Sequence, residues 1–200
     1  MSVVENFQPR RLASMRERLR AATEEVHLAL HRAAPFAAIA DGTATRESYA
    51  DTLAFLRRYH GAMGGWCAAG AWTLGLDGLA RTHRERLAAL RADLATFGRG
   101  VPRAEEEPAR SGAFAVGVLY TVQGSTLGGK VIHRQLDGLL DGEDGRSFFK
   151  GRAEDSHYWR MLCAALEQQS DAAGLEAGAR HAFARFSDML APDRADSERV

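Results

Sequence analysis

Residues 113–129 read AFAVGVLYTVQGSTLGG, and two properties of this stretch decide the fold. From Ala113 to Val122 it is apolar nearly all round, without the alternation of a half-buried strand or the single stripe of a surface helix. It is predicted to be a central helix, covered on every side, within a helical region running from Ser111 to Leu140. Gly124, Gly128 and Gly129 then interrupt it, and each costs about 1 kcal/mol relative to alanine in a helix interior. Missing Cβ atoms serve two ends here: approach of a bent helix backbone to a flat ligand, or close contact with another helix through small residues.

Working outward, the chain supplies helices to cover this core. Leu12, Met15, Leu19, Ala22, Val26 and Leu30 recur at three- and four-residue steps, predicting a helix over about 9–32 that Pro35 ends. Thr45 is a plausible N-cap for a second helix, with Tyr49, Leu53, Leu56, Tyr59 or His60, Met63 and Trp66 on one face, running out at Gly70. Leu76, Leu79, Leu87, Leu90, Leu94 and Phe97 predict a third, stopped by the turn residues Gly98 to Pro102. After a loop from Asp141 to Asp155 come two more, marked by Tyr158, Leu162, Ala165 and Leu166 and then by Leu175, Phe183, Phe186 and Met189. No strand pattern, hairpin turn or internal repeat competes. The expectation is an all-α, single-domain multi-helix bundle spanning residues 9–191, with flexible tails at 1–8 and 192–200.

Composition narrows the function. The 26 basic and 26 acidic residues cancel, so no global charge recruits nucleic acid or an anionic membrane. Cys67 and Cys163 lie far apart in no metal or redox spacing and are read as reduced core thiols. Met1 to Arg10 lacks the apolar run of a signal peptide, and no stretch approaches the roughly 18 apolar residues needed to span a bilayer, so the expected location is the cytoplasm.

On the first helix, Arg20 lies two turns before His27 at nearly the same angular position, so a cation and an imidazole project toward one volume. Haem needs that pairing, because its iron takes an axial imidazole and its propionates take guanidinium groups. A different chemistry is offered by Glu24-x-x-His27 and Glu154-x-x-His157, the spacing of di-iron carboxylate bundles, but the central helix to Leu136 has no acidic residue to complete such a cage. His133, in the charged Lys130 to Arg134 stretch, is read as a solvated surface residue, as are His31, His60, His83 and His181.

Thr23-Glu24-Glu25-Val26-His27, followed by Leu119-Tyr120-Thr121-Val122-Gln123-Gly124-Ser125-Thr126-Leu127-Gly128-Gly129, closely resembles the two signature segments of the haem oxygenase family in order and separation. The similarity continues through Gly145-Arg146-Ser147-Phe148-Phe149 and the helix after Trp159, over roughly residues 9–190. It implies haem b, both substrate and cofactor, held between the first helix and a kinked, glycine-rich distal helix. His27 matches the proximal iron ligand, Arg20 a propionate partner, and Gly124, Gly128 and Gly129 the distal glycines. Tyr120 and Arg160 fall toward the propionate edge. At Ser125 mammalian members carry an aspartate that orders water, so a proton network here would use backbone carbonyls with Ser125 or Gln123. The implied reaction consumes O₂ and electrons from an external donor, a reductase or ferredoxin, and yields biliverdin, CO and ferrous iron. A bilin-binding photoreceptor is one acceptor for such a product. A haem carrier or sensor of the same fold is the competing reading.

Overall fold

Ser14 starts the first helix through a capping box: its hydroxyl accepts from the Glu17 N–H at 3.2 Å while the Glu17 carboxylate accepts from the Ser14 N–H at 2.7 Å. In the computed structural model, which describes residues 13–190, this helix is α1 (Met15–His31). It is followed by α2 (Ala34–Ala40), α3 (Arg46–Ala62), α4 (Gly64–Thr73), α5 (Asp77–Thr96), α6 (Ala113–Gly124) and α7 (Thr126–Gln135). A 3-10 turn (Leu136–Gly138), α8 (Ser147–Lys150), α9 (Asp155–Leu166) and α10 (Ala172–Leu190) complete it, with no strand among the described residues. The expected tails 1–8 and 192–200, and positions 9–12 of the expected first helix, lie outside the described residues.

The apolar helix α6 is the centre, gripped between α10 and α4. The grip is backbone to backbone. A Cβ on Gly117 or Gly178 would collide with the carbonyl oxygen of Leu175 or Phe114, and one on Gly70 with the carbonyl of Ala115. Around this seam Leu19, Met63, Val116, Leu119, Leu162 and Leu175 form one buried cluster. Ile39, Leu53, Leu56, Leu90, Leu136 and Phe149 form a second, and Phe186 and Met189 of α10 join the two. No described helix is long and apolar enough to cross a membrane.

Several boundaries differ from expectation. The second helix breaks at Met63, which closes α3 and opens α4, because Gly64 and Gly65 follow with the weakest helix preference short of proline. The central helix divides at Ser125 into α6 and α7. Pro35 ends α1 as expected but also sits in the first turn of the unexpected α2, where its missing N–H costs nothing. The expected loop over 141–155 contains the short α8.

The histidines need correction. His60 and His83 are only 1% and 3% exposed, because their helices α3 and α5 face each other and the His83 Nε2 donates to the His60 carbonyl at 2.9 Å. His133 and His181 are half-buried rather than solvated, since His133 Nε2 lies 3.5 Å from Glu143 and His181 Nε2 bonds Glu107 at 2.8 Å. The His31 side chain lies outside what the structure describes. Cys67 is a core thiol, pushed up to about 12 by burial, whereas Cys163 is only half-buried.

Burial holds His60 well below the ordinary imidazole value and His83 at about 4. Both groups therefore bind protons more readily in the unfolded chain, and stability falls as pH drops from about 6.5 toward 4. For His83 the loss is up to roughly 3 kcal/mol, at about 1.4 kcal/mol per pKa unit. Urea denaturation at pH 7.5, 6 and 5 is expected to show it, with a shallower pH slope in His83→Gln; an identical slope in the variant refutes the assignment.

Candidate functional site

The placement of α7 is built up from a buried carboxylate. Asp93 of α5 accepts the Ser147 N–H at 2.9 Å and the Phe148 N–H at 2.8 Å, which caps α8. Burial raises its pKa and the two N–H bonds oppose that rise. With α8 fixed, Gly129 rests against the Phe149 backbone, where a Cβ would stand 3.0 Å from the carbonyl oxygen. Arg146 ties the far end of α7, donating to the His133 carbonyl at 3.2 Å, to Glu143 at 3.0 Å and to Asp137.

On the opposite face of α7 lies a stripe of different character. Leu127, Gly128 and Val131 of α7, with Gly124 at the end of α6, fall at positions i+3, i+4, i+7 and i of the helical repeat, hence along one side. Leu127 and Val131 are 52% and 49% exposed, and a Cβ on Gly128 would meet nothing within 4 Å. α1 rests on α10, and α2 touches both α1 and α7. The face of α1 that carries Arg20, Glu24, His27 and Leu28 is exposed, with Leu28 at 49%. The His27 ring meets Phe183 of α10 edge to face, centroids 6.0 Å apart. The glycine run thus divides by role: Gly129 for close packing, Gly124 beside the Trp159 ring, where an added Cβ would stand 3.4 Å from it, and Gly128 open.

At the end of α6, Tyr120 stacks on Trp159 with centroids 5.3 Å apart. Burial raises the Tyr120 pKa, the Cys163 thiol adds to that rise, and the positive charges of Arg16 and Arg20 oppose it. Burial raises the Cys163 thiol pKa, and Arg16 opposes that rise. Arg160 is exposed, next along α9 from Trp159. Arg16 was missed by the reading of the sequence, although its place one turn before Arg20 on the same stripe was a usable signal. Ser125 is exposed, and its hydroxyl donates back to the Val122 carbonyl at 2.7 Å, while Gln123 is buried with its side-chain nitrogen unpaired. Among the described residues no three histidine, cysteine or carboxylate side chains gather so as to hold a metal ion, and Glu154 pairs instead with Arg152 at 3.3 Å.

The comparisons with known proteins agree with one another. The family model described as "Heme oxygenase" matches residues 13–192. A heme oxygenase of Xanthomonas campestris pv. campestris is 37% identical over 162 residues, covering 78% of this chain and 96% of that protein. The solved NO- and CO-bound heme oxygenase of Neisseria meningitidis superposes with a TM-score of 0.73 at 24% identity, over 88% of this chain and 90% of that one. The chain belongs to the haem oxygenase family. It is accordingly an enzyme that degrades haem, and its all-helical fold is the fold of that family.

The residues present fit such a substrate. Leu28, Leu127 and Val131 offer apolar surface to a macrocycle, Gly128 leaves room against it, His27 offers a nitrogen, and Arg16 and Arg20 offer charge to carboxylates.

The two neighbouring glycines should respond differently to a larger side chain. Gly128→Leu enters open space, so thermal stability should hold while ring opening is suppressed more than haem binding. Gly129→Leu overpacks the α7–α8 contact and should lose about 1–3 kcal/mol. Denaturation curves and single-turnover spectra on both variants check this; a Gly128→Leu protein that makes biliverdin at the normal rate contradicts it.

Proposed function

We propose that this haem oxygenase seats haem b between α1 and α7, takes its iron on His27, and uses O₂ with electrons from an external donor to release biliverdin, CO and ferrous iron. The observation that carries this reading is the exposed imidazole on α1 together with the glycine-opened apolar stripe on α7.

When bound, haem supplies the iron-centred oxygen chemistry, and the protein orients and restrains it. His27 would hold the iron through an imidazole nitrogen. Arg20, with Arg16, Tyr120 and Arg160, holds the propionates and so sets the rotation of the macrocycle. Gly128 leaves space for the macrocycle on this face, Gly124 abuts the Trp159 ring, and Gly129 keeps α7 in place by resting on α8. No acid lies on the Gly124, Leu127, Gly128 and Val131 stripe. Protons then travel by water held on backbone carbonyls and on the Ser125 oxygen, whose own hydrogen is committed to Val122. The electron donor is a reductase or ferredoxin in the cytoplasm, and a bilin-binding photoreceptor is one acceptor for the product. The deciding experiment is incubation of the haem complex with reductant and O₂, with the pigment identified by mass and absorption. Unchanged haem would favour a carrier or sensor.

His27→Ala should keep the fold and some haem in the apolar slot but lose the normal ligand. Ferrous and carbonyl spectra report this, and unchanged spectra would remove His27 from the role. Arg20→Glu should weaken or rotate haem by replacing attraction with repulsion, an effect softened by solvent at an exposed edge. Haem titration and isomer analysis of the biliverdin read it out; if affinity and isomer both stay the same, Arg20 is no propionate partner.

A further inference from the structure

We propose that the groove between the start of α5 and α9 is the docking surface for the electron donor, a protein with an acidic face; this rests on the reading that electrons come from an external donor. The groove encloses about 580 Å³, and its walls include Leu76, Arg81, Arg84, Tyr158 and Met161. Its floor is firm. The Tyr158 ring fills the space beside Gly78, where a Cβ would collide with it, and the Tyr158 hydroxyl accepts a hydrogen bond from Arg81 at 2.9 Å. At its rim Trp72 is 75% exposed, more than any other large apolar side chain among the described residues, and Met161 is 37% exposed. The chain turns back at Gly75, whose N–H donates to the Trp72 carbonyl at 3.1 Å, so Trp72 stands at the edge of the groove that Gly75 opens. Tryptophan, tyrosine, methionine and arginine are the side chains that protein interfaces favour.

Charge says what kind of protein fits. Arg81 and Arg84 are exposed, and neither meets a carboxylate among the described residues, whereas the neighbouring Glu85 and Glu154 are both taken by Arg152. Asp77, the acid on the groove wall, lies in the first turn of α5, where the helix dipole offsets its charge. The excess of positive charge selects a partner whose own surface is acidic and speeds its encounter. Helix α9 joins the groove to the candidate site: Tyr158 lines the groove on one side, and its neighbour Trp159 stacks on Tyr120 on the other. A donor seated here is separated from the Tyr120 edge of the site by the thickness of one helix, and it leaves the exposed faces of α1 and α7 free for haem.

The test gives the haem complex of the whole protein two electron sources: ascorbate, and an acidic plant-type ferredoxin with its reductase and NADPH. Trp72→Ser should raise the KM for ferredoxin about 5- to 30-fold, the effect of truncating an aromatic anchor. Arg84→Glu should raise it about 3- to 10-fold at low ionic strength, and the difference should vanish at about 0.5 M salt, where exposed charges are screened. Both variants should keep wild-type haem affinity and ascorbate-driven turnover. Arg58→Glu makes the same charge change at the groove between α3 and α10 and should leave the KM unaltered. An unchanged KM in both Trp72→Ser and Arg84→Glu overturns the proposal, as does an equal rise in Arg58→Glu and Arg84→Glu. Wild-type turnover with ascorbate but none with ferredoxin also overturns it. Failure of the proposed function is separable, since haem then survives both electron sources in the wild-type protein.

Discussion

Direct backbone contact between α6 and its neighbours α10 and α4 is the constraint on which the rest of the molecule depends. It exists because Gly117, Gly178 and Gly70 present no side chain where the helices meet. A helix apolar on every side must be covered on every side, and close approach lets the dispersion and burial terms act over its full length. Leu119 and Val122 disappear into this seam. With α10 locked, α1 has a surface to lie on, and the exposed face of α1 takes a defined direction.

A second set of restraints, independent of that seam, holds the opposite side of the candidate site. Asp93, the α8 turn and Arg146 fix α7 by polar contacts rather than by apolar burial. That division suits a helix with an open apolar stripe, since one face has to remain available for substrate. It also accounts for the Gly145 to Phe149 segment, which carries Gly129 on the Phe149 backbone. Polar groups are buried elsewhere too, among them the two histidines between α3 and α5 and the Arg86–Asp155 pair at 3.0 Å.

The sequence by itself determined the helical class, the approximate extents of α5, α9 and α10, the central place of α6, and the family, because apolar periodicity and motif order are properties of the chain alone. Arg20 and His27 were legible together for the same reason, since the helix repeat fixes their common side. Tertiary structure alone decided which glycine does what. Gly124, Gly128 and Gly129 are indistinguishable in the chain, yet one meets an indole, one meets open space and one meets a carbonyl, because neighbours from α8 and α9 reach only two of them. His60 and His83 were likewise illegible: a histidine near an apolar stripe reads as solvated until the facing helix supplies its carbonyl partner. The association of Arg16 with Tyr120, and of Phe183 with His27, joins positions remote in sequence, which local periodicity does not encode.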